Sequence, residues 1–182
     1  MSKAVLISIR QEWVEKILSG EKTLEVRKTH PKLETPFKVY IYCTAGNLSY
    51  EVNNGMMCNI SGGKLVVGEF VCDGFRPIMP GNFIIKEDAE HSVEGSCLTP
   101  EQVKIYGGWK EKKFCDRQIL FGWHISELKI YDTPKPLSAF KWPCNIDADC
   151  WCCPYYNYTK MDCDGRTIKR PPRSWYYVEE LK

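Results

Sequence analysis

The apolar residues of this chain gather into short runs of strand length, and this pattern constrains the fold more than any other feature. Some runs are continuously apolar, and others alternate with polar residues as half-buried strands do. The predicted strands lie at residues 4–9, 24–27, 37–43, 64–71, 119–125, 128–131 and 175–178. Because they outnumber the helices and do not alternate strictly with them, we expect an α+β fold built on a small mixed barrel.

Two helices are predicted between these strands. The first spans residues 11–19 and ends at Gly20, and the second begins at Pro100 with Thr99 as its N-cap. Two segments are expected to be irregular. Residues 47–63, rich in Asn and Gly, read as a loop, and the proline-containing stretch 133–140 closes the strand before it.

Size and charge set the range of functions. A chain of 182 residues with a formal net charge of +2 predicts one domain with at most a small appendage, and nucleic-acid binding would need a local basic cleft. Arg10 and Glu12 interrupt the first apolar run, so no secretory signal is expected. No run approaches the length of about 18 apolar residues that crosses a bilayer. We therefore expect a cytoplasmic protein without a membrane partner.

The stretch LSGEKTLEVRK, residues 18–28, holds the most informative polar residues. Glu25 and Arg27 lie two positions apart on a predicted strand and so project from the same face, directly after Lys22. Arginine offers a planar fork for phosphate or a base edge, and lysine offers a point charge. A Glu-x-Arg pair can equally be a weak ion pair on a solvent-facing surface.

Gly20, Lys22, Glu25 and Arg27 fit the pattern G-x-K-x-x-E-x-R, which resembles the signature of the ASCH domain, a relative of the PUA fold. The segments VLISI, VVGEFV and FGWHISELKIYDTPKPLSAF and the last aromatic strand are similar in layout to that family. The resemblance implies a PUA-like β-barrel of five to six strands flanked by short helices. Residues 1–140 would form the barrel, 141–165 a cysteine-rich insertion, and 166–182 a basic segment with the strand that completes the barrel.

The resemblance implies an RNA- or nucleotide-binding module with a cleft beside the motif. Lys22 and Arg27 would hold phosphate or base edges, and Glu25 would orient Arg27 or accept from a base amine. Trp109, which precedes three lysines, is the candidate for base stacking, whereas Trp13 and Trp123 are expected in the core.

The alternative is a hydrolase. One branch of the family removes the acetyl group from N4-acetylcytidine with a motif Lys, a Thr three positions later and a downstream Glu. Lys22 and Glu94 match, but Glu25 stands at the Thr position, and a carboxylate does not simply replace a hydroxyl nucleophile. Lys22, Glu25 and Glu94 would be the catalytic set of such an amidohydrolase or of a ribonuclease. A protein-interaction subunit with a vestigial cleft is a third, weaker hypothesis.

Two further features lie near the C-terminus. Arg170 and Arg173 flank Pro171-Pro172 and could contact phosphate, or could protect an exposed strand edge. Cysteines are dense over residues 144–163. Four of them could close an all-thiolate structural zinc site, with Cys152 as an alternative ligand, whereas an iron–sulfur cluster, redox use or buried thiols are the other interpretations. The predicted zinc ligands are Cys144, Cys150, Cys153 and Cys163.

Overall fold

A computed structural model describes residues 2–51, 55–144 and 166–181 of the chain. The chain forms two compact units. One, here called the sheet unit, comprises Met1–Gln11, Lys38–Glu69 and Lys129–Lys182. The other, here called the motif unit, comprises Glu12–Phe37 and Phe70–Leu128 and contains the G-x-K-x-x-E-x-R residues.

The described elements are ten strands and three α-helices, besides short 3-10 turns. In chain order they are β1 Lys3–Ile9, α1 Gln11–Leu18, β2 Leu24–Arg27, β3 Phe37–Cys43, β4 Leu48–Glu51, β5 Met57–Ile60, β6 Leu65–Cys72, β7 Phe75–Ile78, α2 Lys86–Ser92, α3 Pro100–Gly107, β8 Leu120–His124, β9 Ser126–Pro136 and β10 Trp175–Glu179. Every predicted strand is confirmed to within a few residues, and so are both predicted helices.

Both predictions of irregular segments need correction. Residues 47–63 contain the hairpin of β4 and β5, and the proline stretch belongs in part to β9, which runs on to Pro136. Strand β7 was not predicted, because its sequence FRPI is only four residues long and contains a proline. It lies at the edge of its sheet, where a missing N–H group is tolerated.

The sheet unit is built around a five-stranded sheet of order β10-β1-β3-β6-β9. Strand β1 pairs with β10 antiparallel and with β3 parallel, and it is buried along almost its whole length. Ala4 and Leu6 of this strand join a core cluster, which consists of Ala4, Leu6, Tyr40, Tyr42, Val66, Tyr131, Phe140, Ile168 and Val178. The strand edge formed by β10 therefore rests on a well-packed core.

The motif unit contains the antiparallel sheet β2-β8-β7. One face of this sheet packs on α3 through a second core cluster of Val26, Ile78, Val93, Val103, Trp109 and Leu120. Helix α3 begins as predicted: the Thr99 hydroxyl accepts from the Gln102 amide, and the Gln102 side chain accepts from the Thr99 amide. This capping box fixes the helix that borders the motif strand.

The α+β class is confirmed. Within residues 2–51, 55–144 and 166–181 the strands form three sheets, and no closed barrel is found there. In the same part of the chain, none of the helices has the length and apolar character needed to cross a membrane.

Candidate functional site

The motif residues come together because α1 ends just before them. Gly20 takes a left-handed conformation with φ +79°, which glycine adopts without strain, and the helix stops there. The Lys22 amide then donates to the Lys16 carbonyl at 2.8 Å. This turn brings Lys22 to the start of β2, where its side chain meets those of Glu25 and Arg27.

Glu25 lies between the two cations. Its Oε2 is 3.3 Å from Lys22 Nζ, and its Oε1 is 2.9 Å from Arg27 Nε. The exposed fractions of Lys22, Glu25 and Arg27 are 2%, 6% and 8%. The interpretation as a solvent-facing ion pair is therefore wrong. Two cations and one anion share a buried position, so these three side chains together carry a net charge of +1.

The N–H groups of the Lys22 ammonium are used in contacts within the protein. An ammonium has three N–H groups, and Lys22 Nζ lies close to three acceptors: the Leu24 carbonyl at 2.9 Å, the Ser96 carbonyl at 2.6 Å and the Glu25 carboxylate. The Trp13 ring covers it at 5.4 Å from the ring centroid, so Trp13 is half-buried beside the motif rather than a core residue. These contacts favour Lys22 as the residue that positions Glu25 and the loop around Ser96.

An aromatic surface lies beside the charged residues. In the sheet register Glu25 is opposite Trp123, which is opposite Phe75, and Arg27 is opposite Phe121. Residues that face each other across an antiparallel pair project from the same side of the sheet. Trp123 is fully buried as predicted, whereas Phe75 and Phe121 are half-buried. The motif charges and these aromatic rings therefore share one face.

His30 extends that aromatic surface. Its exposed ring lies 4.7 Å from the ring of Phe75 and 4.5 Å from that of Phe121, measured between centroids. The sequence carries no local signal for this contact, since His30 follows the motif strand in a turn. The rings meet in tilted and edge-to-face contacts and offer partly solvated aromatic surface next to Arg27.

Tyr106 is a second residue that the sequence did not single out. It lies near the end of α3 and is 38% exposed, and Lys28 Nζ is 5.3 Å from its ring centroid. Burial raises the pKa of the Tyr106 hydroxyl, the charge of Arg27 lowers it, and the charge of Glu25 raises it again. The hydroxyl therefore lies within electrostatic reach of both motif residues.

Glu94 is only partly brought to the site. The Gly95 carbonyl accepts from the amides of Thr23 and Leu24 at 2.8 and 2.9 Å, so this loop borders the motif. The Glu94 side chain, however, is 70% exposed, and its carboxylate lies 3.3 Å from Nδ1 of His91. The backbone of the loop contacts the motif, while the carboxylate contacts a histidine on the surface.

The prediction that Trp109 stacks on a ligand is corrected. Its ring is 1% exposed, packs on Phe83 with centroids 5.0 Å apart, and donates through Nε1 to the Gln118 carbonyl at 2.9 Å. Gly108 at φ +65° turns the chain back, and a Cβ on Gly107 would be 2.6 Å from Trp109 Nε1. The two glycines thus fold the indole under α3, although three lysines follow it.

The remaining predicted residues belong to the sheet unit. Arg170 and Arg173 are exposed in the segment before β10. Cys144 is half-buried, and its amide donates to Glu179 Oε1 at 3.2 Å. Cys150, Cys152, Cys153 and Cys163 lie outside the described residues, so the zinc site stays a prediction. Within the described part of the chain, no group of three or more His, Cys, Asp or Glu side chains could hold a metal ion.

The fold is similar to that of a known class, the ASCH proteins. A tyrosine-to-phenylalanine mutant of an ASCH protein from Zymomonas mobilis matches with a TM-score of 0.50 and 16% identity, over 98% of this chain and 92% of that one. A serine-to-alanine mutant and another ASCH structure from the same organism match with TM-scores of 0.49 and 16% identity, over 97% of this chain and 89% and 88% of theirs. No family model and no curated protein matches the sequence. At this identity the likeness shows a shared fold alone.

Proposed function

We propose that the chain is an ASCH module of PUA-like fold that binds RNA or a nucleotide beside its G-x-K-x-x-E-x-R motif. The observation that carries this proposal is the burial of Lys22, Glu25 and Arg27 in contact with one another on one strand. Burying charged groups costs free energy even when they are paired. A binding role for Arg27 would account for that cost.

The contacts divide the work among the three residues. Lys22 is occupied by two backbone carbonyls and by Glu25, so it fixes the carboxylate rather than the ligand. Glu25 in turn orients the guanidinium of Arg27 through Nε. An arginine held in this way presents its planar fork in one orientation, which suits phosphate or a base edge. In the proposed site Arg27 is therefore the ligand-binding group.

The aromatic neighbours support a ligand with a base. Phe75 and Phe121 lie on the face that carries Arg27, and His30 packs against them. Tyr106 lies close enough to Arg27 for the charge of Arg27 to lower the pKa of the Tyr106 hydroxyl. Bases stack on such rings in a sequence-tolerant way. A cation beside planar rings is the combination that recognises a phosphate and its base together.

The structure gives less support to the hydrolase hypothesis. A catalytic set of Lys22, Glu25 and Glu94 requires the Glu94 carboxylate near the reacting group. That carboxylate is exposed and paired with His91, and Lys22 is occupied as described. The amidohydrolase on N4-acetylated cytidine or the ribonuclease remains the alternative. It would be supported by turnover of acetylcytidine or RNA that is lost in Glu94→Gln.

The proposed zinc site also remains open to test. Four thiolates form the donor set that structural zinc prefers. Cys144 is the one member within the described residues, and it is half-buried there. Metal analysis of the purified protein should find about one zinc per chain, and Cys144→Ser should lower that content.

The proposal is tested by equilibrium binding of nucleoside monophosphates and of a short single-stranded RNA at two salt concentrations. Arg27→Lys keeps the charge but loses the fork, so it should weaken binding, and Arg27→Ala should also reduce the salt dependence by about one phosphate contact. Arg117→Ala is the matched control, because Arg117 lies in a turn of the same unit and stacks over Phe114. Equal binding by wild type and both Arg27 variants would refute the proposal.

A further inference from the structure

A cavity lies in the sheet unit, and none of its lining residues belongs to the motif. It has a volume of about 440 Å³ and is lined by Lys3, Trp142, Pro143, Trp175, Tyr176 and Tyr177. This volume falls within the usual range of small-ligand clefts. Three of the lining residues belong to β10, which is an edge strand of the five-stranded sheet. The cavity therefore opens along a strand edge rather than inside the core.

The lining is unusually aromatic. The rings of Trp142 and Tyr176 have centroids 4.7 Å apart, and those of Trp175 and Tyr177 are 5.3 Å apart. Trp142 is 39% exposed, and the three β10 aromatics are half-buried. Rings that are held by one another yet open to solvent can accept a further planar group at small entropic cost.

The charge around this cavity is positive. Lys3 lies in the lining, and Lys169, Arg170 and Arg173 are exposed in the short segment that leads into β10.

The acidic residues at the C-terminal end of β10 already have cationic partners, and one of them, Glu179, is opposite Lys3 in the sheet register. Glu179 is bound by Arg166, and Glu180 lies 3.1 Å from Lys38. Among the residues that the structure describes, three cations before β10 are exposed, whereas the two glutamates at its end already contact cations.

The basic segment is held in place next to the aromatic rings. The Ser8 hydroxyl donates to the Pro172 carbonyl at 2.7 Å, and the Ser8 amide donates to the Ser174 carbonyl at 2.9 Å. Arg173 lies between these two anchored residues and two positions before Trp175. These two hydrogen bonds therefore hold the backbone of Arg173 in place beside the cavity.

We infer that the β10 edge is a second binding site, which takes a single-stranded segment of nucleic acid. The aromatic cavity stacks one or two bases, and Lys3, Arg170 and Arg173 contact the phosphates. Aromatic rings next to a basic track are the common design of sequence-tolerant single-strand binding. This site stands on different residues from the motif, so it does not depend on the function proposed above. The competing explanation is that proline and charge only protect an exposed strand edge.

The test uses the full chain with Arg27→Ala as background, so that the motif contributes little. A fluorescently labelled octauridylate and its deoxy counterpart are titrated and followed by anisotropy. Adding Trp142→Ala should weaken binding of the ribo-oligonucleotide roughly 5- to 150-fold, the usual effect of removing a stacking ring. Adding Arg173→Gln should reduce the salt dependence by about one contact.

The controls are Phe114→Ala, which removes an aromatic ring that is 56% exposed in the motif unit, and Lys86→Gln, whose side chain is 80% exposed. Both should bind as the background does. Equal weakening of the ribo- and deoxy-oligonucleotides by Trp142→Ala would support recognition of bases and phosphates, and weakening of the ribo-oligonucleotide alone would support a contact to the 2′-hydroxyl. Unchanged binding in both Trp142→Ala and Arg173→Gln would overturn the inference and leave edge protection as the role of these residues.

Discussion

Replacing Glu25 by glutamine is the perturbation that most directly probes the buried motif cluster. The substitution keeps the shape of the side chain and removes its charge. Lys22 and Arg27, both more than nine-tenths buried, would then face each other without the carboxylate that contacts them at 3.3 and 2.9 Å. Removing one partner of a buried ion pair costs roughly 3 to 5 kcal/mol, because it leaves an uncompensated charge in a poorly solvated position.

The assay is urea unfolding at pH 7, followed by far-UV circular dichroism. At an m-value of about 2 kcal/mol/M, the loss corresponds to a decrease of roughly 1.5 to 2.5 M in the transition midpoint. Glu21→Gln is the matched control, because Glu21 pairs with Lys16 at 3.0 Å with both side chains well exposed. Ion pairs of that kind contribute little, so the midpoint should hardly move.

A second variant separates charge from packing. Adding Lys22→Met to Glu25→Gln removes one of the two uncompensated cations, so the double variant should lose less stability than the sum of the losses in the two single variants. If Glu25→Gln unfolds at the same urea concentration as Glu21→Gln, removing the carboxylate does not destabilise the two cations, and they are not in a poorly solvated position. The argument that this buried cluster serves a ligand would then fail as well.

Gly107→Ala should lower the thermal unfolding midpoint, because its Cβ would lie 2.6 Å from Trp109 Nε1. Alanine normally stabilises a helix relative to glycine, so a higher midpoint in a calorimetric scan would contradict this prediction. Burial raises the pKa of Cys72 from 9.0 to about 11, so its contribution to stability is complete below pH 9 and is lost as the pH rises through 11. Between pH 9 and pH 11 the unfolding free energy of the wild type should therefore fall by up to about 3 kcal/mol more than that of Cys72→Ala. Parallel curves of unfolding free energy against pH for the two proteins would contradict this prediction. The hydrogen bond from His124 lowers the pKa of Asp73 below its usual 3.8, so the advantage of the wild type over Asp73→Asn should be present above that pH and disappear in stronger acid; acid titrations of the two proteins with coincident midpoints would argue against it.

The sequence predicted those parts of the molecule that depend on local signals. Alternation at Leu24 and Val26 marks β2, and the Thr99-Pro100 pair marks the start of α3. These patterns act within a few residues of one another, so they can be read without the fold. The motif itself was visible for the same reason.

Other features depend on residues far apart in the chain. Ser96 contacts Lys22 across 74 positions, and His30 meets Phe75 and Phe121 only once the sheet forms. Nothing near these residues in the sequence indicates the contact. Trp109 shows the opposite error, because its lysine neighbours suggested exposure while two glycines allowed the indole to fold back. Burial is a property of the tertiary structure, and here it reversed a local signal.

The central claim is that the motif of Lys22, Glu25 and Arg27 faces a ligand. Backbone amide NMR spectra of the wild-type protein, recorded during titration with a nucleoside monophosphate, test it most directly. The account predicts saturable shifts at residues 22–28, at 94–96 and at Tyr106, the elements that surround Arg27. Saturable shifts confined to other parts of the chain, or none at millimolar nucleotide, would contradict it.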